Sequence, residues 1–241
     1  MITTKYSNEI TGQRKKMKAM ILAAGRGLRL RPLTDSTPKP LISIANKPLI
    51  LHQVLKLAKI GIKEIIINVS YQAKQIIETL GDGHAYGVKI DYSFEPTALE
   101  TGGGICQALS ILGSNSFIVL SADIWTDFPL ERLLSHSLNK STLAHLILVN
   151  NPSFHPQGDF HLIQNNLLSL EGTSAKFTFA SLGVYHPDLF SNKSGTFPLS
   201  SLLYKYIAEK KITGECYQGL WFNIGTPTEL ERLNAYLEQK K

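Results

Sequence analysis

The chain has 241 residues, of which 43% are hydrophobic, and carries a formal net charge of +6. That is enough chain and enough apolar content for one α/β domain with a sizeable core, and no apolar run reaches the roughly 20 residues of a membrane span. The cations gather beside glycines, without a long basic helix or an aromatic-interleaved basic patch, so they favour small phosphorylated molecules over nucleic acid or a membrane.

Residues 1–16 are polar and lack a signal peptide's apolar centre. They are expected to be a disordered extension, with Met17 as an alternative start, and a single domain is expected over residues 17–241. Ala19 to Ala23 is an apolar run expected to form a buried strand. It leads into Ala24-Gly25-Arg26-Gly27-Leu28-Arg29-Leu30-Arg31-Pro32-Leu33-Thr34, with Pro38-Lys39-Pro40 close behind. Gly25 and Gly27 permit turns closed to other residues and leave room for a ligand against the main chain. Successive N–H groups in such a loop form an anion-binding concavity, and Arg26, Arg29, Arg31 and Lys39 add four cations. The segment reads as a polyphosphate loop. It is not a Walker loop, since no Gly-Lys-Ser/Thr closes it, and it lacks the third glycine of a dinucleotide fingerprint. A plain strand-to-turn junction with solvated arginines is the other reading open from these residues alone.

Pro48 opens a helix whose apolar face includes Leu49, Leu51, Val54, Leu55 and Leu57, ended by Gly61. Glu64–Val69 is a second strand, Gln72–Leu80 a helix, Val88–Phe94 a third strand, Thr101–Leu112 a glycine-started helix and Phe117–Leu120 a fourth strand. Strands alternating with helices imply parallel β-α-β units, an α/β doubly wound, mostly parallel sheet with ligands beyond the strands' carboxyl ends. The second half is richer in β structure. Leu143–Val149 is a strand, Gly158–Ile163 and Leu167–Leu170 a hairpin turned by Asn165-Asn166, and Phe177–Tyr185 a strand. Leu199–Glu209 is helical, Glu215–Phe222 extended and Pro227–Gln239 a final helix. Cys106 and Cys216 lie far apart without Cys-x-x-Cys spacing, which points to free thiols in a reducing cytoplasm.

Three further segments carry chemistry. Asp123, in Ser121-Ala122-Asp123-Ile124-Trp125-Thr126-Asp127, follows the fourth strand and can hold Mg²⁺, a hard cation that shares oxygen ligands with substrate phosphates; as a lone residue it equally suits a turn or cap. Asp127, before Phe128-Pro129, also suits a helix cap. Thr101-Gly102-Gly103-Gly104 opens a helix with residues costly to helix formation, so something must approach closely or the turn needs unusual angles. His155 and Asp159 lie in a loop and on their own read as loop residues.

The string from Ala23 to Lys39 resembles the signature of the sugar-1-phosphate nucleotidyltransferases, Ala-Ala-Gly-x-Gly-x-Arg-x-x-Pro-Leu-Thr followed by Pro-Lys-Pro. Leu-Glu-Thr-Gly-Gly-Gly, Asp-Ile-Trp-Thr-Asp and Asn151-Pro152-Ser153-Phe154-His155-Pro156-Gln157-Gly158-Asp159-Phe160 resemble the N-acetylmuramic acid 1-phosphate uridylyltransferases of peptidoglycan recycling, from Met17 to the C-terminus. Two departures stand out. Phe154 replaces the first of two histidines, and Asn223, in Trp221-Phe222-Asn223-Ile224-Gly225-Thr226, replaces the family's second metal aspartate. The asparagine leaves open a weaker metal site, compensation by substrate phosphates, or an impaired enzyme.

The resemblance implies a Rossmann-like nucleotidyltransferase fold with a smaller β-rich sugar-binding half. It implies catalytic roles for Arg29 and Lys39, and nucleotide contacts from Ala23, Ala24, Gly25, Gly27, Thr101, Gly102 and Gly103. Gly158, Asp159 and Gly183 are placed at the sugar, and Mg²⁺ on Asp123 and Asn223. The implied partners are small molecules, an NTP and a sugar 1-phosphate, taken by a cytoplasmic monomer or small homo-oligomer. The implied reaction is UTP plus N-acetylmuramic acid 1-phosphate giving UDP-N-acetylmuramic acid and pyrophosphate. A mannose or glucose 1-phosphate nucleotidyltransferase and a non-catalytic nucleotide-sugar binding protein remain the alternatives.

Overall fold

The first apolar run forms β1 (Ala19–Leu22), whose Ala19, Met20 and Ile21 are fully buried, as befits a parallel strand covered on both faces. A computed structural model describes residues 17–136 and 138–239, so the extension expected over 1–16 lies outside the described residues. After β1 come a short helix α1 (Leu33–Ser36), a tight hairpin of β2 (Ser43–Ile44) and β3 (Lys47–Pro48), α2 (Leu49–Lys59), β4 (Glu64–Val69), α3 (Ala73–Leu80), β5 (Lys89–Phe94), α4 (Glu100–Leu112) and β6 (Phe117–Ser121). The second half contributes β7 (Ile124–Thr126), β8 (Ala144–Val149), β9 (Phe160–Leu162), β10 (Leu168–Ser169), β11 (Lys176–Tyr185), α5 (Leu199–Ala208), β12 (Ile212–Tyr217), β13 (Trp221–Asn223) and α6 (Pro227–Glu238).

β5, β4, β1 and β6 lie side by side and parallel. β11 joins β6 antiparallel, β8 joins β11 antiparallel, and β12 joins β8 parallel. The hairpin of β9 and β10 hangs from the first residues of β11. This mixed, mostly parallel sheet with helices is the expected class. The two faces alternate along β1: Ala19, Ile21 and Ala23 join the core layer containing Ile50, Val54 and Leu57 of α2 and Ile76 of α3. Met20 joins the layer under α4 and α5, with Ile105, Leu112, Leu202 and Ile207. The chain leaves β1 for β4 and β5 on one side and returns to β6 on the other, so a topological switch point opens between the carboxyl ends of β1 and β6.

The structure differs from expectation in two places. The extended segment expected over 215–222 is two strands in different sheets. β12 starts earlier, at Ile212, because its whole length pairs with β8. The chain then turns at Gly219, where a Cβ would stand 2.2 Å from the Tyr217 hydroxyl, and β13 pairs instead with β7. The helix foreseen after Pro129 is a 3₁₀ segment, Leu130–Ser135.

The three glycines of α4 have a packing explanation. A Cβ at Gly102 would lie 2.4 Å from the Phe197 ring and 2.9 Å from its carbonyl oxygen, and one at Gly103 would lie 2.3 Å from the Gly195 carbonyl oxygen. Gly102→Ala should therefore overpack the α4–α5 layer and cost about 1–3 kcal/mol. At about 2–4 °C per kcal/mol for a chain of this size, a Tm drop of several degrees in a thermal melt is expected, and an unchanged Tm would remove this reading.

Candidate active site

The switch point holds a cavity of about 250 Å³ lined by Ala23, Ala24, Gly25, Lys39, Thr101 and Asp123, among others. Lys39 is buried, and its ammonium meets Asp123 Oδ2 at 2.6 Å. Ser121 donates its hydroxyl to Asp123 Oδ1 at 2.5 Å. The loop after β1 grips the lysine from behind: a Cβ on Gly27, whose φ is +65°, would stand 2.9 Å from Lys39 Cβ, and Thr34 donates to the Gly27 carbonyl at 2.9 Å. Gly27 is thus a packing and turn glycine behind Lys39 and does not line the cavity. Gly25 differs, since a Cβ there meets nothing within 4 Å and would project into open space.

A buried polar chain ties the strands at this end. Asn68 at the end of β4 accepts from the Ala23 amide at 2.8 Å and donates to Glu95 Oε1 at 2.7 Å. Glu95, 1% exposed, also accepts from the Leu99 amide at 2.8 Å. Glu100 follows in left-handed conformation, with φ at +60°, and lines the cavity. Strain of that kind persists where the surroundings hold it in place. None of these three side chains was singled out from sequence. The available signal was Asn68, a lone amide inside the apolar run of β4.

Arg29 lies outside the cavity lining, in the 3₁₀ turn Leu28–Leu30, with its guanidinium against Gly225, where an added Cβ would come within 3.4 Å of Cζ. Arg26 instead sits over the Tyr71 ring at 5.6 Å, and Arg31 pairs with Asp35 at 3.0 Å. Asn223 is brought to Asp123 by the pairing of β13 with β7, and the Ile224 amide donates to the Asp123 carbonyl at 2.8 Å. Asn223 Oδ1 is buried and has no hydrogen-bond partner. An unpaired buried carbonyl oxygen on Asn223 and a carboxylate on the adjoining Asp123 are both oxygen donors, the kind that a hard divalent cation takes.

Asn223 also lines a second, more open pocket of about 340 Å³ with Phe154, His155, Asp159, Phe179 and Trp221. Asp159 Oδ1 meets His155 Nε2 at 3.1 Å and Oδ2 accepts from the Phe179 amide at 2.8 Å. Gly158, with φ at +61°, turns this loop against Asn151. Phe154, half exposed, sits 6.5 Å from Trp221 ring to ring. Asp123 in the first pocket and Asn223 in the second therefore stand at the boundary between the two.

Gly102, Gly103 and Gly183, expected at the nucleotide and the sugar, line neither pocket. The Gly102 and Gly103 amides both donate to the Phe197 carbonyl at 3.0 Å, and neither residue lines the cavity. A close approach at these glycines is made by the 195–197 segment. Gly183 is buried in β11, where a Cβ would stand 2.6 Å from the His145 carbonyl oxygen, so it serves strand packing and lies outside the second pocket. Thr101 does line the first cavity, and its hydroxyl accepts from the Leu199 amide at 2.9 Å, tying α4 to the start of α5.

Residues 18–160 match the nucleotidyl transferase family, and the chain belongs to that family. Within it, the chain is 43% identical over 225 residues to the N-acetylmuramate alpha-1-phosphate uridylyltransferase of Neisseria meningitidis serogroup B, covering 91% of this chain and 97% of that protein. It is 30% identical to mannose-1-phosphate guanyltransferase 2 of Candida glabrata, over 92% of this chain and 65% of that one. In fold it is similar to a Bacillus anthracis structure described as a glucose-1-phosphate thymidylyltransferase in complex with a sucrose, with a TM-score of 0.81 at 24% identity, covering 91% and 94% of the two chains.

The different surroundings of the loop arginines make a test. Arg29→Ala should lower kcat/KM for pyrophosphate release about 10²–10³-fold, the cost of a charge-assisted contact made at the transition state, whereas Arg26→Ala, whose guanidinium already rests on Tyr71, should stay within about tenfold of the native chain. Equal losses in steady-state rates would contradict this division.

Proposed function

We propose that the chain transfers a uridylyl group from UTP to N-acetylmuramate α-1-phosphate, releasing pyrophosphate, as a step of peptidoglycan recycling in the cytoplasm. The observation that carries this reading is the 43% identity over nearly the whole of both chains.

The sugar phosphate attacks through an oxygen that is already anionic, so the protein need not supply a nucleophile or a strong base. Positioning and charge neutralisation around an in-line displacement at the α-phosphate remain to be supplied. The first cavity takes the nucleotide, with its phosphates over Gly25 and its base toward Thr101. The second takes the sugar, with Trp221 and Phe154 offering apolar faces and Asp159 holding His155 in place. The reacting phosphates then meet at the boundary, beside Asp123 and Asn223. Mg²⁺, held by Asp123 and Asn223, would neutralise phosphate charge and align the two phosphates. Lys39 is the cation already at Asp123, and it passes from that carboxylate to the incoming phosphates as a point charge. Arg29 grips the departing pyrophosphate with its planar fork. Asn223 contributes an oxygen without charge, so substrate phosphates carry more of the metal's neutralisation than in relatives with two aspartates.

Pyrophosphate release over a matrix of four NTPs and N-acetylmuramate, N-acetylglucosamine, mannose and glucose 1-phosphates, with Mg²⁺, tests the proposal. UTP with N-acetylmuramate 1-phosphate should exceed every other pair in kcat/KM by about tenfold or more. A preference for GTP with mannose 1-phosphate would replace the substrate assignment, and binding without turnover for any pair would make the chain a nucleotide-sugar binding protein.

A further inference from the structure

His145 lies in β8 and Glu215 in β12. In the parallel register of these strands His145 stands opposite Thr213, so the side chain of Glu215, two residues on, shares its face of the sheet. His136, just after the 3₁₀ segment, covers them, its ring stacked on that of His145 with centroids 3.7 Å apart. One ligand atom from each of the three residues lies within 4.8 Å of the others. None of the three lines either pocket of the transferase site.

His145 Nδ1 lies 2.9 Å from Thr213 Oγ1, which also stands 3.4 Å from the Ala144 carbonyl oxygen. When the hydroxyl proton turns to that carbonyl, Nδ1–H donates to Oγ1 and Nε2 carries the lone pair of a ligand. The His145 side chain is 5% exposed, and its Nε2 has no partner. It faces Glu215 Oε1 at 3.9 Å, which is also buried and also without a partner, while Oε2 of the same carboxylate is held by Arg132. Neither buried atom has a hydrogen-bond partner, and unpaired polar atoms of this kind are costly. A neutral imidazole offers one ring nitrogen as a metal ligand.

We propose that His136, His145 and Glu215 bind a divalent transition-metal ion of the zinc class at a structural site separate from the transferase centre. Two imidazoles and a carboxylate oxygen suit Zn²⁺ and not Mg²⁺, which takes oxygen donors. The Thr213–Nδ1 bond is the outer contact that usually orients a metal-binding imidazole. Ligand atoms around a tetrahedral zinc stand about 3.3 Å apart, so rotation of the half-buried His136 out of its stack would close the three onto one centre. Such an ion would pin the loop after residue 130 to the outer strands of the sheet.

The test is metal binding by the full chain after chelator treatment and dialysis. Co²⁺ should bind with one equivalent per chain and give the visible spectrum of a tetrahedral site. Zn²⁺ should displace it, and a large excess of Mg²⁺ should not. Zn²⁺ at a hundredfold excess over its Kd should raise Tm by roughly 5–10 °C. His136→Ala, at a half-buried loop position, and Thr213→Val should each weaken binding about tenfold or more while the apo Tm stays near native and pyrophosphate release persists. Failure of the native chain to take up one equivalent, or binding unchanged in His136→Ala, would overturn the proposal in favour of a water between His145 and Glu215.

Discussion

The ion pair between Lys39 and Asp123 is the contact on which the rest of the site depends. Each group comes from a different part of the chain, and the pair closes the switch point between β1 and β6. Lys39 is 9% exposed, so its charge has little water and Asp123 is the carboxylate that answers it. Losing one member of such a pair leaves an uncompensated charge and typically costs about 3–5 kcal/mol. That same vulnerability suits the proposed chemistry. A carboxylate held by an ammonium is ready to accept a metal, and an ammonium held by a carboxylate is ready to meet phosphate.

The surrounding construction keeps this pair in register. Gly27 and Thr34 pack behind Lys39, and Ser121 orients the carboxylate. The buried chain from Ala23 through Asn68 and Glu95 to Leu99 fixes the phosphate loop to the start of α4. Because every member is satisfied, the network specifies a geometry without leaving a polar group stranded. The exception nearby is Asn223 Oδ1, and an unpaired carbonyl oxygen at the boundary of two pockets is where a bound cation would repay its burial.

Much of the fold was legible because β1, β4 and β6 are apolar runs separated by helices with regular faces. The short strands β7 and β13 were not, since a three-residue pairing leaves no periodic signal. The same holds for the site. Local strings such as Ala23–Gly27 and Lys39 carry their chemistry in sequence, and Asp123 and Asn223 meet although 100 positions separate them. Glycines proved the least legible residues. A glycine that leaves room for a ligand and one that leaves room for the protein's own backbone look alike in sequence. Only the distances at Gly25, Gly102 and Gly183 tell them apart.

If Lys39 holds the place of a cation at Asp123, removing its charge must change metal binding in a particular direction. The decisive measurement is the affinity of nucleotide-free protein for Mg²⁺, or for Mn²⁺ as a spectroscopic probe, in the native chain and in Lys39→Gln. The freed carboxylate should bind the ion about tenfold or more tightly, because a like charge next to the site has gone. In the same variant kcat/KM should fall on the order of 10²-fold, because the phosphates have lost a cation. Weaker or unchanged metal binding in Lys39→Gln, in a variant that still melts cooperatively, would contradict the account.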